Sequence, residues 1–165
     1  MPWVCGSRCH GRPDIHAHRG RPGAGDHRRS GLTAAAVSGE NVELVRSIYR
    51  AWAEGRSARA FIAEDVDYVN PKDAIEPGVL RGRKSFARIR DAYEDVRVVP
   101  ERYVEAGDDD VVVIAKLQVG TRGLHTETTQ GYVWTVREGQ AIRFRWFNDP
   151  AEALAAVGLQ PEAGA

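Results

Sequence analysis

From residue 40 onward the chain switches between two hydrophobic periods. Val42, Val45, Ile48, Tyr49 and Trp52 recur at helical spacing between Glu40 and Gly55. That spacing predicts an amphipathic helix with Glu40 and Glu43 at the positive end of its dipole and a glycine at its stop. Ser57 predicts the cap of a short second helix through Phe61 and Ile62. Phe86, Ile89 and Tyr93 fall at i, i+3 and i+7 and predict a third helix over residues 83–94.

Between and after these helices the period drops to two. Val66, Tyr68 and Asn70 share one face of a strand that stops at Pro71. Four further strands are expected over residues 97–106, 111–119, 125–137 and 140–148, joined by the turns GDDD, GTRG and REG. Such short turns make neighbours antiparallel, and Pro100 puts the first of the four at an edge or on a bulge. The run DPAEALAAVGL predicts a closing helix with Asp149 as N-cap, Pro150 at the first position, Glu152 completing a capping box and Gly158 beyond the end. Helices first and a meander of strands afterwards define an α+β domain, one curved antiparallel sheet with its helices gathered on one face.

Length limits the chain to one such domain, assigned here to residues 37–160, with tails at 1–36 and 161–165. The opening segment carries six arginines against two aspartates, is rich in Gly, Pro and His, and has neither period. It is expected to be disordered, and its Arg/Gly/Pro/His text also suits a reading frame extended upstream of the true start. Cys5, Cys9, His10, His16 and His18 lie there. His16 and His18 stand too close for a zinc-ligand pair, so no metal is expected, and nothing in the chain calls for a cofactor. Formal net charge is zero, and no apolar run could cross a bilayer. Nucleic acid and membrane are therefore not expected partners, and the cytoplasm is the expected compartment.

Four stretches carry a resemblance. The helix ending WAEG, the strand EDVDYVNP, the GR opening the third helix and the close GQAIRFRWFNDPAEAL, in that order over residues 38–160, resemble SnoaL-like proteins of the nuclear transport factor 2-like superfamily. The resemblance implies a cone-shaped α+β barrel, a curved mainly antiparallel sheet wrapped round a long N-terminal helix. It also implies a homodimer through the outer sheet face, with Arg145 and Phe147 near its centre. Its pocket would be lined by Tyr68 and Asn70, by Lys116 and Gln118, by Thr128, Gln130, Tyr132 and Trp134, by Phe144 and Trp146, and by Trp52 from the first helix.

Among these, Tyr68, Asn70, Lys116 and Tyr132 are the candidate catalytic groups, and the other seven are candidate ligand-binding residues. Asn70 falls where the resembling ketosteroid isomerase keeps an acidic base, and an amide cannot abstract a proton. Tyr68-x-Asn70 matches the water-holding pair of limonene epoxide hydrolase, whose two carboxylates have no counterpart on the inward faces. Two readings of Asn70 stay open: a hydrogen-bonding clamp in the pocket, or the cap of the Asn-Pro turn. Lys116 is either a buried ammonium available for chemistry or a lysine paired at the surface. The expected function is a pocket protein for a small lipophilic molecule. The alternative is an isomerase, cyclase or hydrolase acting by acid/base chemistry on a polyketide-, terpenoid- or steroid-like substrate, with Asp73 or Glu76 as a displaced acid.

Overall fold

The structure, a computed structural model, describes residues 30–92, 95–121 and 123–161. Cys5, Cys9, His10, His16 and His18, with most of the expected tail, lie outside the described residues, as do residues 162–165. The first helix, α1 (Ser30–Ala53), runs back through residues 30–36, which composition had assigned to that tail. The Ala34-Ala35-Ala36 run, with the best intrinsic helix propensity, extends the backbone helix beyond its amphipathic part. At the other end Gly55, at φ 66°, closes α1. Its N–H donates to the Trp52 carbonyl, and the Arg56 N–H donates to that of Ala51, the paired bonds of a Schellman stop.

Ser57 caps only a turn. Its hydroxyl accepts the Arg59 N–H, Phe61 N–H reaches the Ala58 carbonyl, and there the second helix ends. Strand β1 (Ile62–Asn70) claims the next residues. A short strand the pattern did not predict follows, β2 (Gly78–Arg81), antiparallel to β1. It is mostly exposed, so it carries no hydrophobic alternation to read. Helix α2 (Ser85–Ala92) starts two residues later than expected, after a turn at Gly82. Strands β3 (Asp95–Ala106), β4 (Asp110–Thr121), β5 (Leu124–Arg137) and β6 (Gln140–Phe147) and helix α3 (Pro150–Ala155) complete the order.

The six strands form one sheet in the order β2-β1-β6-β5-β4-β3, antiparallel except for the β1–β6 pair. Pro100 lies on the edge strand β3, where the register also slips between Pro100 and Arg102, so both expected accommodations of the proline occur together. One face of the sheet packs on α1 and α2. Val45, Ile48 and Tyr49 of α1 meet Tyr68, Val111, Val113, Tyr132, Trp134 and Phe144 there. Each buried Val or Ile contributes about 1.5–3 kcal/mol.

The helices do not all share that face. Helix α3 lies on the opposite one, where Ala153 and Leu154 pack with Val112 and Val133. Gly131 makes the approach possible, since a Cβ there would collide with the Ala153 side chain and stand 3.0 Å from the Pro150 Cα. Asp149 caps α3, accepting the Ala151 N–H at 2.8 Å, with Pro150 next in the chain.

Candidate functional site

Cross-strand register assembles most of the expected inner face. Tyr132 pairs with Trp146 and Trp134 with Phe144 across β5–β6, while Tyr68 pairs with Phe144 across β1–β6. The result is an aromatic interior. The Trp134 and Phe144 centroids lie 4.5 Å apart, and Tyr68 stands 5.0 Å from both Phe144 and Phe86. Trp134 is wholly buried and donates its indole N–H to the Tyr49 hydroxyl at 3.1 Å, so it is a core residue. Trp52 contacts Phe86 and Trp134 from α1.

Phe86, read from sequence only as part of a helical stripe, proves central. It stacks nearly parallel on Trp134 at 5.7 Å and is edge-on to Tyr68. No signal in its spacing distinguishes that role from ordinary helix packing.

At the end of β1 the polar groups are fastened to one another. Trp146 donates its indole N–H to the Asn70 amide oxygen at 2.8 Å, and the Asn70 amide nitrogen donates to the Glu76 carbonyl at 2.7 Å. A second chain runs from the Tyr132 hydroxyl to Gln130 at 2.8 Å and from Gln130 to Asn148 at 3.3 Å. Asn148 in turn donates to Asp73. The Glu76 carboxylate pairs with Arg88 at 3.0 Å.

Tyr68 differs from these. Its hydroxyl is buried and, among the described residues, has no hydrogen-bond partner. Burial, and after it the neighbouring Tyr132 phenol, pushes its ionisation well above the ordinary phenol range. Burial does the same to Tyr132. Both phenols stay protonated near neutral pH, so they are donors and not bases.

Three expected site residues fall elsewhere. Lys116 and Gln118 pair with Thr129 and Glu127 of β5, on the face opposite Tyr132 and Trp134. The inward set of β4 is Val111, Val113 and Ala115. The Lys116 ammonium sits 3.4 Å from both Glu101 and Glu127, and Gln118 donates to Glu127 at 2.7 Å. Glu127, and after it Glu101, raises the pKa of Lys116 by stabilising its charged form. The sequence VVVIAKLQV is apolar on both faces because α3 covers the outer face as well, so its period-two phase was not legible. Thr128 keeps the inward phase but is exposed near the far end of β5.

On the outer face Phe147 packs against the cluster of Val133 and Leu154, so it is partly covered by its own chain. Arg145 faces Asp110 at 3.6 Å. A groove of about 500 Å³ opens at the far end of β1, between the stop of α1 and the start of α2, with Trp52, Ile62 and Phe86 among its walls. No helix among the described residues is long and apolar enough to cross a membrane.

No family model matches the chain, and no curated protein matches it either. Solved structures do. An NTF2-like protein from Burkholderia pseudomallei K96243 is 24% identical with a TM-score of 0.58, covering 72% of this chain and 98% of its own. TerC, co-crystallised with polyporic acid, is 23% identical at a TM-score of 0.58, covering 72% of this chain and 97% of its own. A putative SnoaL-like polyketide cyclase from Jannaschia sp. CCS1 is 17% identical at 0.55, covering 83% of this chain and all (100%) of its own.

Sheet order, enclosing helices and these likenesses define an α+β cone. The chain has the nuclear transport factor 2-like fold, the one shared by the SnoaL-like proteins it resembles.

Proposed function

We propose that this chain is a binding protein for a small, largely apolar molecule carrying a hydrogen-bond acceptor. The observation that carries the reading is the Tyr68 hydroxyl, buried in an aromatic interior without a partner among the described residues. An unmet buried donor costs about 1–3 kcal/mol, and an acceptor on a ligand would recover it. Phe86 packs edge-on against the Tyr68 ring and is also one wall of the open groove, so the two are neighbours through a single side chain. TerC's co-crystallisation with polyporic acid agrees with a small-molecule site in this fold.

Binding is favoured over turnover because the described interior offers donors and no base. Asp73 and Glu76, the displaced acids an enzyme would need, are occupied by Asn148 and Arg88.

The test is a titration with Nile red, a neutral apolar dye with a carbonyl acceptor. Wild-type protein should bind it with a blue-shifted emission, and Tyr68→Phe should weaken binding about tenfold, the loss of one buried hydrogen bond of about 1.4 kcal/mol. Equal affinity in the two proteins would remove Tyr68 from the site.

A further inference from the structure

The groove at the stop of α1 carries charge of one sign. Arg56, Arg59, Arg83 and Lys84 line it beside Trp52 and Phe86, and no carboxylate among the described residues does. The backbone fixes this arrangement from both sides. The Schellman stop at Gly55 turns Arg56 and the following loop across the groove, and the Arg83 Nε donates to the Ile62 carbonyl at 2.7 Å, which anchors its guanidinium there. Arg56 is neutralised by Glu54. Among the described residues no acid lies within ion-pair distance of Arg59, Arg83 or Lys84.

Like charges gathered round an apolar floor repel one another, and the described chain places no anion between them. We propose that the groove binds a free small organic anion, a carboxylate, sulfonate or phosphate monoester on an aromatic or alicyclic body. The Arg83 guanidinium keeps its terminal N–H groups for a planar anion, Lys84 and Arg59 supply point charge and reach, and the rings of Trp52 and Phe86 take the body. A volume of about 500 Å³ suits such a molecule, since small-molecule sites span about 300–1,000 Å³. Tyr68 is not among the residues that line this groove.

A matched pair of probes tests it: 1-anilinonaphthalene-8-sulfonate, and N-phenyl-1-naphthylamine, the same body without the sulfonate. Both Arg59 and Lys84 are exposed, so the double variant R59E/K84E should fold with an unchanged melting temperature. Its dissociation constant for the sulfonate should rise at least fivefold, while that for the neutral amine changes less than twofold. Raising salt from 50 to 500 mM should weaken only the sulfonate, and only in wild-type protein. Should Arg59 and Lys84 each contribute through packing alone, the conservative R59K/K84R variant, which keeps the charge, would fail to preserve sulfonate binding. That failure, an equal loss for both probes, or unchanged sulfonate affinity in R59E/K84E would overturn the proposal. So would charge-dependent sedimentation with phosphatidylglycerol vesicles alongside unaltered sulfonate binding, which would assign the cations to a membrane surface.

Discussion

The indole N–H of Trp146 and the amide oxygen of Asn70 lie 2.8 Å apart, joining the ends of two parallel neighbouring strands. Because the same amide donates to the Glu76 carbonyl, Asn70 ties the loop after β1 to the sheet with both of its polar atoms. Asn70→Ala should therefore lower stability by about 1–3 kcal/mol and expose residues 71–77 to proteolysis. Asn70→Asp keeps the acceptor for Trp146 but sets a carboxylate oxygen against the Glu76 carbonyl, so it should free the loop while keeping the contact between the strands. Thermal melts and limited proteolysis check both. A stable Asn70→Ala variant with an intact loop would return Asn70 to the reading as a ligand clamp.

Tyr68→Phe makes the opposite forecast for stability. The variant deletes a buried hydroxyl that has no partner among the described residues and leaves the ring contacts with Phe86 and Phe144 in place. The ligand-free protein should become more stable by about 1 kcal/mol, read from denaturant midpoints at constant slope. A loss of stability instead would mean that the hydroxyl is satisfied in solution.

Alkaline pH should unfold the protein through its buried phenols. Tyr49, Tyr68 and Tyr132 all ionise above the ordinary phenol value, in each case chiefly because burial disfavours the phenolate. Raised folded-state values mean that the native chain holds these protons more tightly than the unfolded one. Their contribution is complete below the unfolded value, about pH 10, and is lost as pH rises beyond it through the folded values. Absorbance at 295 nm should show their ionisation coinciding with loss of near-ultraviolet dichroism, not preceding it.

Lys116 gives a test of its outward placement. Gln118 and then Lys116 hold the Glu127 carboxyl below its ordinary range. Lys116→Met should let Glu127 titrate at higher pH, followed by its carboxyl carbon shift, and should leave Nile red affinity unaltered. A fall in that affinity would place Lys116 back in the pocket.

The contrast between β4 and β5 shows what the sequence could disclose. In β5 the inward Gln130, Tyr132 and Trp134 form a set whose polar and aromatic character matches β1 and β6, and the register joins them as expected. In β4 every residue from Val111 to Ala115 is apolar, so the two phases were equivalent until α3 was known to cover the second face. The same blind spot hid β2, whose residues are mostly exposed, and ended the Ser57 helix, whose residues β1 claims through pairing beyond local range. Phe86 was visible as an apolar helix position, but its stack on Trp134 depends on a contact no period encodes.

Gly131 is the position where that second face can be tested directly. In β5 it sits opposite Ile114 and Phe147, beneath α3. A methyl group there would collide with the Ala153 side chain and press on the Pro150 backbone at 3.0 Å, and Pro150, fixed in φ beside the Asp149 cap, has little freedom to yield. Gly131→Ala should thus lift α3 from the sheet and cost about 1–3 kcal/mol, as other overpacked sites do. Pairing it with Ala153→Gly removes one of the two clashes and should restore part of the loss, so the double variant should be more stable than the sum of the singles. Because α3 lies across the sheet from Tyr68 and Phe86, Nile red affinity should be unchanged in each variant. Additive losses in the cycle would mean that α3 does not rest on Gly131.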